Sequence, residues 1–396
     1  MRAGQYIKQP NDFRAFIPAP LPPVPPIQFD TELALLLSKA DRCLGRLDGV
    51  ASVLPNPDLF LAMYVKHEAV LSSQIEGTQS TLEDVLQFEI NAQGQDVPKD
   101  VEEVVNYVQA MNYGIERLKE LPLSLRLIEE IHAELLKGVR GESRNPGEFR
   151  QSQNWIGTAH GNLSSAVFVP PPVFEMKEAL HNLEKFLHDK SLPVLIQCAL
   201  AHAQFETIHP FLDGNGRVGR LMITFLLCER EILPRPLLYL SYYLKANRSE
   251  YYDRLMAIRN DGNWEGWLKF FLRGIVEVSQ SATETARAIL TLRENNRQII
   301  VENATATAAN ALKLLDYLYA QPIITIKIVE TVLQNTFQTA NKLVEQLVKL
   351  NILEEMTGQK RNRVYIYRPY MDLFNKPIIL SDEETNPIIQ VTNSLI

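Results

Sequence analysis

A short polar segment between two apolar stretches contains several of the chain's most chemically versatile side chains. His209, Asp213, Arg217 and Arg220 fall within the stretch HPFLDGNGRVGR, together with three glycines. Packing a loop does not require so many convergent polar groups, so their concentration favours a functional site. Each feature alone is common in structural turns, and the inference rests on their combination.

The glycines predict where an anion binds. Gly214 and Gly216 permit positive φ and close backbone approach, and a helix is predicted to begin near Arg217 with unpaired amide groups. Such a helix start attracts phosphate through its N–H donors and its dipole. Arg217 and Arg220 lie three residues apart on one helix face and can bind further phosphate oxygens, so a polyphosphate fits better than a monophosphate.

Two further side chains complete this chemistry. Asp213 supplies one hard oxygen ligand beside the predicted phosphate site, which suits Mg²⁺ because this ion keeps most of its waters and binds substrate phosphates. His209 is the natural general base. The alternative is a metal site at His202, Glu206 and His209, which share a helix face at i, i+4 and i+7. That hypothesis is weaker, because Pro210 would end the helix and the phosphate features would have no purpose.

Helical periodicity along the chain predicts the elements that hold this loop. Apolar residues recur at helical spacing from Asp30 onward and over the ranges 57–74, 99–118, 123–138, 174–188, 193–207, 217–230, 248–259 and 263–293. Only the range 166–169, just before three prolines, is typical of a short strand or hairpin. The range 16–27 contains six prolines and is expected to form an extended strap. The predicted fold class is therefore mainly all-α, with a short β-hairpin flap.

The region after residue 304 has a different pattern. Helices predicted over 306–320, 325–333 and 336–350 precede two strands around Gly358, which is the order of a winged helix-turn-helix. Its third helix and wing carry side chains suited to base edges and phosphates, namely Gln338, Thr339, Asn341, Lys342, Lys360, Arg361 and Arg363. DNA binding and packing against the rest of the chain are both open for this unit.

Length and composition fit several packed units of an ordinary globular protein. The chain has 396 residues, 46% hydrophobic and 22% charged, with a net charge of −7 that excludes an overall basic coat for nucleic acid. We divide it into an N-terminal helical segment (1–100), a catalytic core (101–295), the winged helix (304–370) and a tail (371–396). Three distant cysteines form no disulfide framework, and no signal peptide or membrane span is evident, so a cytoplasmic protein without a membrane partner is expected.

The stretch HPFLDGNGRVGR resembles the motif of the Fic family. That motif reads His, any residue, Phe, any residue, Asp or Glu, Gly-Asn-Gly-Arg, two residues and Arg, and every fixed position matches. The stretches PGEFRQSQNWIG, VFVPPP, AHAQFETIHP, NRSEYY and GNWEGWLKFFL also resemble the family, so the similarity extends over about residues 60–275. The resemblance implies a Fic helical core that transfers AMP from ATP to a Ser, Thr or Tyr hydroxyl of a target protein, with Mg²⁺ as cofactor.

The resemblance also implies a role for each matching residue. His209 would deprotonate the hydroxyl, and Asp213 would hold Mg²⁺. The amides of Gly214, Asn215 and Gly216 would bind the phosphates, together with Arg217 and Arg220. Tyr243 and Asn247 would contact the adenosine. A flap, 164–172, which includes Val167, Phe168 and Val169, would dock the target backbone.

Upstream of the core, SSQIEG resembles the inhibitory helix of the family. Ser72 and Glu76 share a helix face at i and i+4, and Gly77 follows them. The resemblance implies that Glu76 pairs with Arg220 and keeps the γ-phosphate from its productive position. A glutamate at a helix end before a glycine is also a common structural pattern.

Several functions share these features. The alternatives are a DNA-binding transcriptional regulator with a Fic sensor or modifier core, transfer of UMP or phosphocholine by the same loop, and removal of AMP. A homodimer is also compatible with the sequence.

Overall fold

The computed structural model describes residues 2–10, 13–52, 57–91, 99–157, 163, 165–304 and 306–375. The strands of this described part are β1 (Gly4–Lys8), β2 (Arg14–Pro18), β3 (Ile323–Thr325), β4 (Glu354–Glu355) and β5 (Val364–Ile366). Its helices are α1 (Thr31–Ser52), α2 (Pro57–Ile75), α3 (Leu82–Asn91), α4 (Lys99–Arg117), α5 (Leu125–Leu135), α6 (Val173–Leu187), α7 (Val194–Ile208), α8 (Asn215–Glu229), α9 (Ser241–Ala246), α10 (Arg248–Asp261), α11 (Trp264–Asn303), α12 (Ala308–Leu318), α13 (Ile326–Leu333), α14 (Phe337–Lys349) and α15 (Arg368–Met371). The predicted, mainly all-α fold class is thereby confirmed.

The central helices α7 and α8 form the middle of the hydrophobic core. Every residue from Leu195 to Ile208 is buried, and α8 is buried over most of its length. A helix that is apolar all round can be stable only when other elements cover every face, and α6, α10 and α11 pack on α7. The polar loop between α7 and α8 is therefore carried by two rigid supports.

The N-terminal helices belong to the same core. The apolar stripe of α1, which includes Leu33, Ala40, Leu44 and Leu47, lies along α11. The next helix, α2, packs against α4 and α9. These contacts place the end of α2 near α8, which α2 also contacts.

The N-terminus forms a hairpin that the sequence did not predict. Strands β1 and β2 pair antiparallel, with Tyr6 opposite Phe16. Arg2 then binds Glu265 at the start of α11 through two hydrogen bonds of 2.9 and 3.0 Å. The first three residues of the predicted proline strap, 16–18, thus form the end of β2. The rest of the strap, 19–27, has no regular secondary structure.

The C-terminal unit has the predicted order of elements. The three-stranded antiparallel sheet β3-β5-β4 includes one strand that was not predicted, β3, which contacts α13, and α13 packs against α12 and α14. The side chains of Gln338, Thr339 and Lys342 are exposed, whereas Asn341 accepts a hydrogen bond of 2.7 Å from Arg363 of the wing. The winged-helix assignment and DNA binding stay predictions.

Other details differ from the sequence-based expectations. α3 and α9 were not predicted, and α11 continues ten residues beyond the expected end, to Asn303. The flap segment makes a single β-bridge, between Ile156 and Phe168, rather than a strand pair. The tail beyond Asn375 lies outside the described residues. Within the described residues, each helix is too short or too polar to cross a lipid bilayer.

The contact between α1 and α11 gives a stability prediction. Leu44 is 1% exposed, so Leu44→Ala removes apolar burial and leaves a cavity, which lowers the free energy of unfolding by about 2–5 kcal/mol. Chemical denaturation followed by circular dichroism measures the change. Leu35→Ala on the same helix is the control, since Leu35 is 59% exposed and its loss should cost less than about 0.5 kcal/mol. Equal effects of the two substitutions would contradict the packing described.

Candidate active site

The motif loop keeps its shape through two unusual backbone positions. His209 follows α7 with left-handed angles, φ 49° and ψ 60°, which a residue other than glycine adopts only where its surroundings hold it. Gly214 precedes α8 with φ 78°, which glycine adopts without strain. The predicted glycine-rich turn between two helices is therefore present at 209–214.

Side chains before and after the loop fix it in place. Asn154 donates from Nδ2 to the carbonyl oxygens of His209 (3.1 Å) and Phe211 (2.9 Å). Arg150 donates from Nε to the same His209 carbonyl at 3.1 Å. The side chain of Asn215 accepts the Phe211 N–H at 2.8 Å and donates to the Phe211 carbonyl at 2.9 Å. These bonds pre-organise the loop before any ligand binds.

A buried histidine also supports the loop. His132 on α5 accepts the Gly147 N–H at Nδ1 (2.9 Å), so its proton lies on Nε2, which donates to the Asp213 carbonyl at 3.1 Å. Its ring stacks on Phe211 with centroids 3.7 Å apart. Burial lowers the pKa of His132 to about 4, so the ring is neutral at pH 7. The sequence analysis missed this residue, and a single histidine on the buried face of α5 carries no distinguishing pattern.

The first turn of α8 offers free hydrogen-bond donors. Within the described part of the chain, the backbone N–H groups of Asn215, Gly216 and Arg217 make no hydrogen bond, whereas that of Gly214 donates to Asp213 Oδ1 at 2.6 Å. Unpaired N–H groups at a helix start, reinforced by the helix dipole, form an anion site.

A carboxylate of the chain itself lies at this anion site. Glu76, directly after α2, accepts a hydrogen bond of 2.7 Å from Arg220 and approaches Gly216 so closely that a Cβ there would clash with it. Ser72 accepts from the same guanidinium, through Oγ at 2.7 Å and through its carbonyl at 3.0 Å. Burial raises the pKa of Glu76, but the charge and hydrogen bond of Arg220 outweigh it and hold that pKa below its usual range. Ser72 and Glu76 therefore act on one side chain, and Gly77 forms the turn after them.

His209 presents a neutral imidazole near Glu76. Burial lowers the pKa of His209 to about 3, and the positive charges of Arg259 and Arg150 add to this effect, while Glu76 opposes it. Nδ1 is buried and has no hydrogen-bond partner within the described residues. An imidazole that is neutral at pH 7 is able to accept a proton.

Asp213 and Arg217 differ sharply in exposure. The side chain of Asp213 is 34% exposed, whereas that of Arg217 is 1% exposed and donates to Glu103 of α4 at 3.2 Å. The guanidinium that the sequence analysis assigned to phosphate binding is thus buried and paired. No three His, Cys, Asp or Glu side chains of the described residues form a metal-binding group. One exposed carboxylate beside free amides nevertheless fits an Mg²⁺ ion that takes its other ligands from water and nucleotide phosphates.

The alternative metal site at His202, Glu206 and His209 is not formed. His202 donates from Nδ1 to the Gly219 carbonyl at 3.0 Å and accepts the Tyr251 hydroxyl at Nε2 at 2.9 Å. Burial lowers the pKa of His202 to about 4. Because both ring nitrogens are occupied within the fold, this hypothesis is wrong.

The flap exposes one of its three predicted residues to solvent and buries the other two. Val167 is 64% exposed, and Phe168 and Val169 are buried. The guanidinium of Arg259 lies 3.8 Å from the ring centroid of Phe168, and the Val169 carbonyl accepts the N–H of Phe16 from β2 at 2.9 Å. The inner side of the flap is thus anchored, and Val167 points outward. Residue 164, at the start of the predicted flap, lies outside the described residues.

The two predicted adenosine contacts lie on α9 and at its end. Tyr243 is buried, with its ring 5.0 Å from that of Phe270, and Asn247 donates from Nδ2 to the Tyr243 carbonyl at 3.0 Å. Both side chains therefore have partners within the fold. Tyr252 is 40% exposed, and burial and the charge of Glu76 raise its pKa. This ring is a further candidate for contact with a planar base; the sequence analysis quoted the stretch that contains it, NRSEYY, but did not single it out.

Comparison with known proteins identifies the domains. Residues 34–116 match the family described as Fic/DOC family N-terminal, and residues 122–227 match the Fic/DOC family. The protein adenylyltransferase Fic of Drosophila virilis is 30% identical over 203 residues, which cover 50% of this chain and 38% of that protein. That of Drosophila melanogaster is 27% identical over 203 residues, which cover 50% of this chain and 37% of that protein.

Similarity in fold extends further along the chain. A Fic family protein of Desulfovibrio desulfuricans G20, known from a crystal structure, has a TM-score of 0.56 and 18% identity, and the match covers 86% of this chain and 97% of that one. The resemblance carried by HPFLDGNGRVGR and its supporting stretches is thereby confirmed. Residues 34–227 contain the N-terminal and Fic domains of the Fic/DOC family.

Proposed function

We propose that the chain transfers AMP from ATP to a Ser, Thr or Tyr hydroxyl of a target protein, and that Glu76 restrains this transfer. One observation carries the proposal: a carboxylate of the chain lies where the first turn of α8 and Arg220 offer donors to an anion. A site that already holds a carboxylate is built for negative charge. The relatives named protein adenylyltransferase Fic agree with a nucleotide as that anion.

The reaction needs a base and an oriented phosphate chain. The neutral imidazole of His209 accepts the proton of the target hydroxyl while the oxygen of that hydroxyl attacks the α-phosphorus. The new P–O bond forms as the bond to pyrophosphate breaks, and the pyrophosphate leaves with the negative charge. The free amides of Asn215 and Gly216 bind phosphate oxygens, because positioning and charge neutralisation carry most of such a transfer.

Two further features complete the proposed site. Mg²⁺ would neutralise charge on the phosphates, and Asp213 is the residue that would hold it. The exposed Val167 marks the outer side of the flap, where the backbone of a target is proposed to lie in extended form.

The restraint follows from competition for one guanidinium. Arg220 is 3% exposed, and its hydrogen bonds within the described residues go to Ser72 and Glu76. A γ-phosphate that used this guanidinium would have to replace the Glu76 carboxylate. ATP therefore binds productively only when Glu76 moves away.

The nucleotide donor is tested by intact-mass analysis. The Glu76→Gly protein is incubated with Mg²⁺ and each of the four nucleoside triphosphates in turn, and a gain of one AMP, on the chain itself or on an added target, identifies the reaction. A gain of UMP instead, or no gain with any triphosphate, would contradict AMP transfer.

His209→Ala should lower AMP transfer by about 10²–10⁴-fold, because it removes the general base. The measurement is transfer of label from ATP tagged at the α-phosphate, made in the Glu76→Gly background. His181→Ala removes an imidazole from the exposed side of α6 and should leave the rate unchanged. Near-normal labelling by the His209 variant would remove this residue as the base.

Glu76→Gly should raise AMP transfer by roughly 10–100-fold. A charge-assisted hydrogen bond contributes about 1.5–3 kcal/mol, and each 1.4 kcal/mol corresponds to a tenfold change. The same labelling assay compares this variant with the unmodified chain. In the double variant with His209→Ala the gain should vanish, and equal activity with and without Glu76 would argue against the restraint.

The imidazole of His209 should stay neutral from pH 8 to pH 5. Its pKa is lowered to about 3, so the folded protein does not protonate it in this window, whereas an imidazole in water titrates near 6.5. Nitrogen chemical shifts of labelled histidine, assigned by comparison with His209→Ala, report the titration. A midpoint for this ring between pH 6 and pH 7 would refute the expectation.

A further inference from the structure

The first motif arginine is held by a second carboxylate of the N-terminal domain. Glu103 on α4 is 3% exposed; its Oε2 lies 3.2 Å from Arg217 Nη1, and its Oε1 lies 3.3 Å from Arg140 Nε. Arg217 is 1% exposed, and its Nε has no hydrogen-bond partner within the described residues. A guanidinium keeps its charge when buried, and a nearby carboxylate stabilises that charge. The family motif contains neither Glu103 nor Arg140.

Arg217 lies between two carboxylates at unequal distances. It donates to Glu103 at 3.2 Å, whereas its distance of 3.6 Å to Asp213 Oδ1 is not accompanied by a hydrogen bond. Asp213 instead accepts the Gly214 N–H at 2.6 Å, and its side chain is 34% exposed. The hydrogen bond of this guanidinium thus goes to Glu103, and Asp213 makes none to it.

We infer that Glu103 is a positioning residue of the nucleotide site: it takes the hydrogen bond of Arg217, so that Asp213, 3.6 Å from the same guanidinium, makes no hydrogen bond to it and remains able to bind the divalent cation that accompanies the nucleotide. The inference rests on the proposed function. Asp213 is the other carboxylate within ion-pair distance of Arg217 among the described residues, so loss of the Glu103 charge would turn this 3.6 Å ion pair into a direct, hydrogen-bonded one. A direct pair between them would compete with the cation.

The experiment separates binding of the cation from binding of the nucleotide. The full chain carrying Glu76→Gly is titrated by calorimetry with an ATP analogue that is not cleaved at the α-phosphate, once with Mg²⁺ and once with a chelator. Adding Glu103→Gln should reduce the Mg²⁺-dependent gain in affinity about tenfold, the scale seen when residues behind a metal ligand are removed, and should leave the affinity in chelator unchanged. Glu102→Gln, the same substitution one position earlier on α4, should behave like the parent protein.

Each other outcome has a defined meaning. Equal losses with Mg²⁺ and with chelator would show that Glu103 only supports the loop, and no loss in either condition would show that it does not position Asp213; both overturn the inference. If Glu103→Gln lowers the melting temperature markedly, the variant Glu103→Asp, which keeps the charge, is measured in its place. Most of the Mg²⁺-dependent gain in affinity should then return. A loss of that gain as large as in the glutamine variant overturns the inference. A Glu76→Gly protein that binds no analogue in either condition refutes the proposed function itself.

Discussion

The site is organised around the unpaired N–H groups at the start of α8 and the buried charge of Arg220 beside them. The N–H groups of the first turn have no acceptor within the described chain, and Arg220 is buried next to them. A buried guanidinium without a partner costs several kcal/mol, so the fold must supply an anion or accept one from outside. Glu76 is that anion here, with Ser72 as a second acceptor. The carboxylate directly after α2 thus occupies the anion site in this structure.

The N-terminal domain acts as a charge complement to the Fic domain. Each of the two motif arginines has a carboxylate partner from residues 34–116: Glu76 pairs with Arg220 and Glu103 pairs with Arg217. The two pairs differ in exposure, since the side chain of Glu76 is 32% exposed and that of Glu103 is 3% exposed. Both guanidinium groups are buried, so breaking either pair is costly unless another anion replaces the carboxylate, and of the two carboxylates Glu76 is the one that solvent reaches. The same domain therefore supplies one carboxylate that is open to solvent and one that is enclosed.

Local sequence patterns predicted most of the helices and most residues of the candidate site. The motif loop is contiguous, so its composition alone indicated an anion site, and the i, i+4 spacing placed Ser72 and Glu76 on one face. The helices followed from periodicity because their apolar stripes are long. His132 and Glu103 were missed because each is a single polar residue on a buried helix face, and its partner lies far away in sequence. The burial of Arg217 depends on α4 packing beside α8, which no local pattern reports.

The way the flap is supported bears on the proposed docking of a target. Phe16 of β2 holds the Val169 backbone, and Arg259 covers the Phe168 ring, so both inner positions are fixed by parts of the chain remote in sequence. A flap that is held at two consecutive inner residues has little freedom to change its backbone conformation for different targets. If the flap docks a target as proposed, the extended segment of that target must fit an edge whose inner positions are already fixed, and an amino-terminal truncation that removed β2 would take away the support that Phe16 gives to Val169.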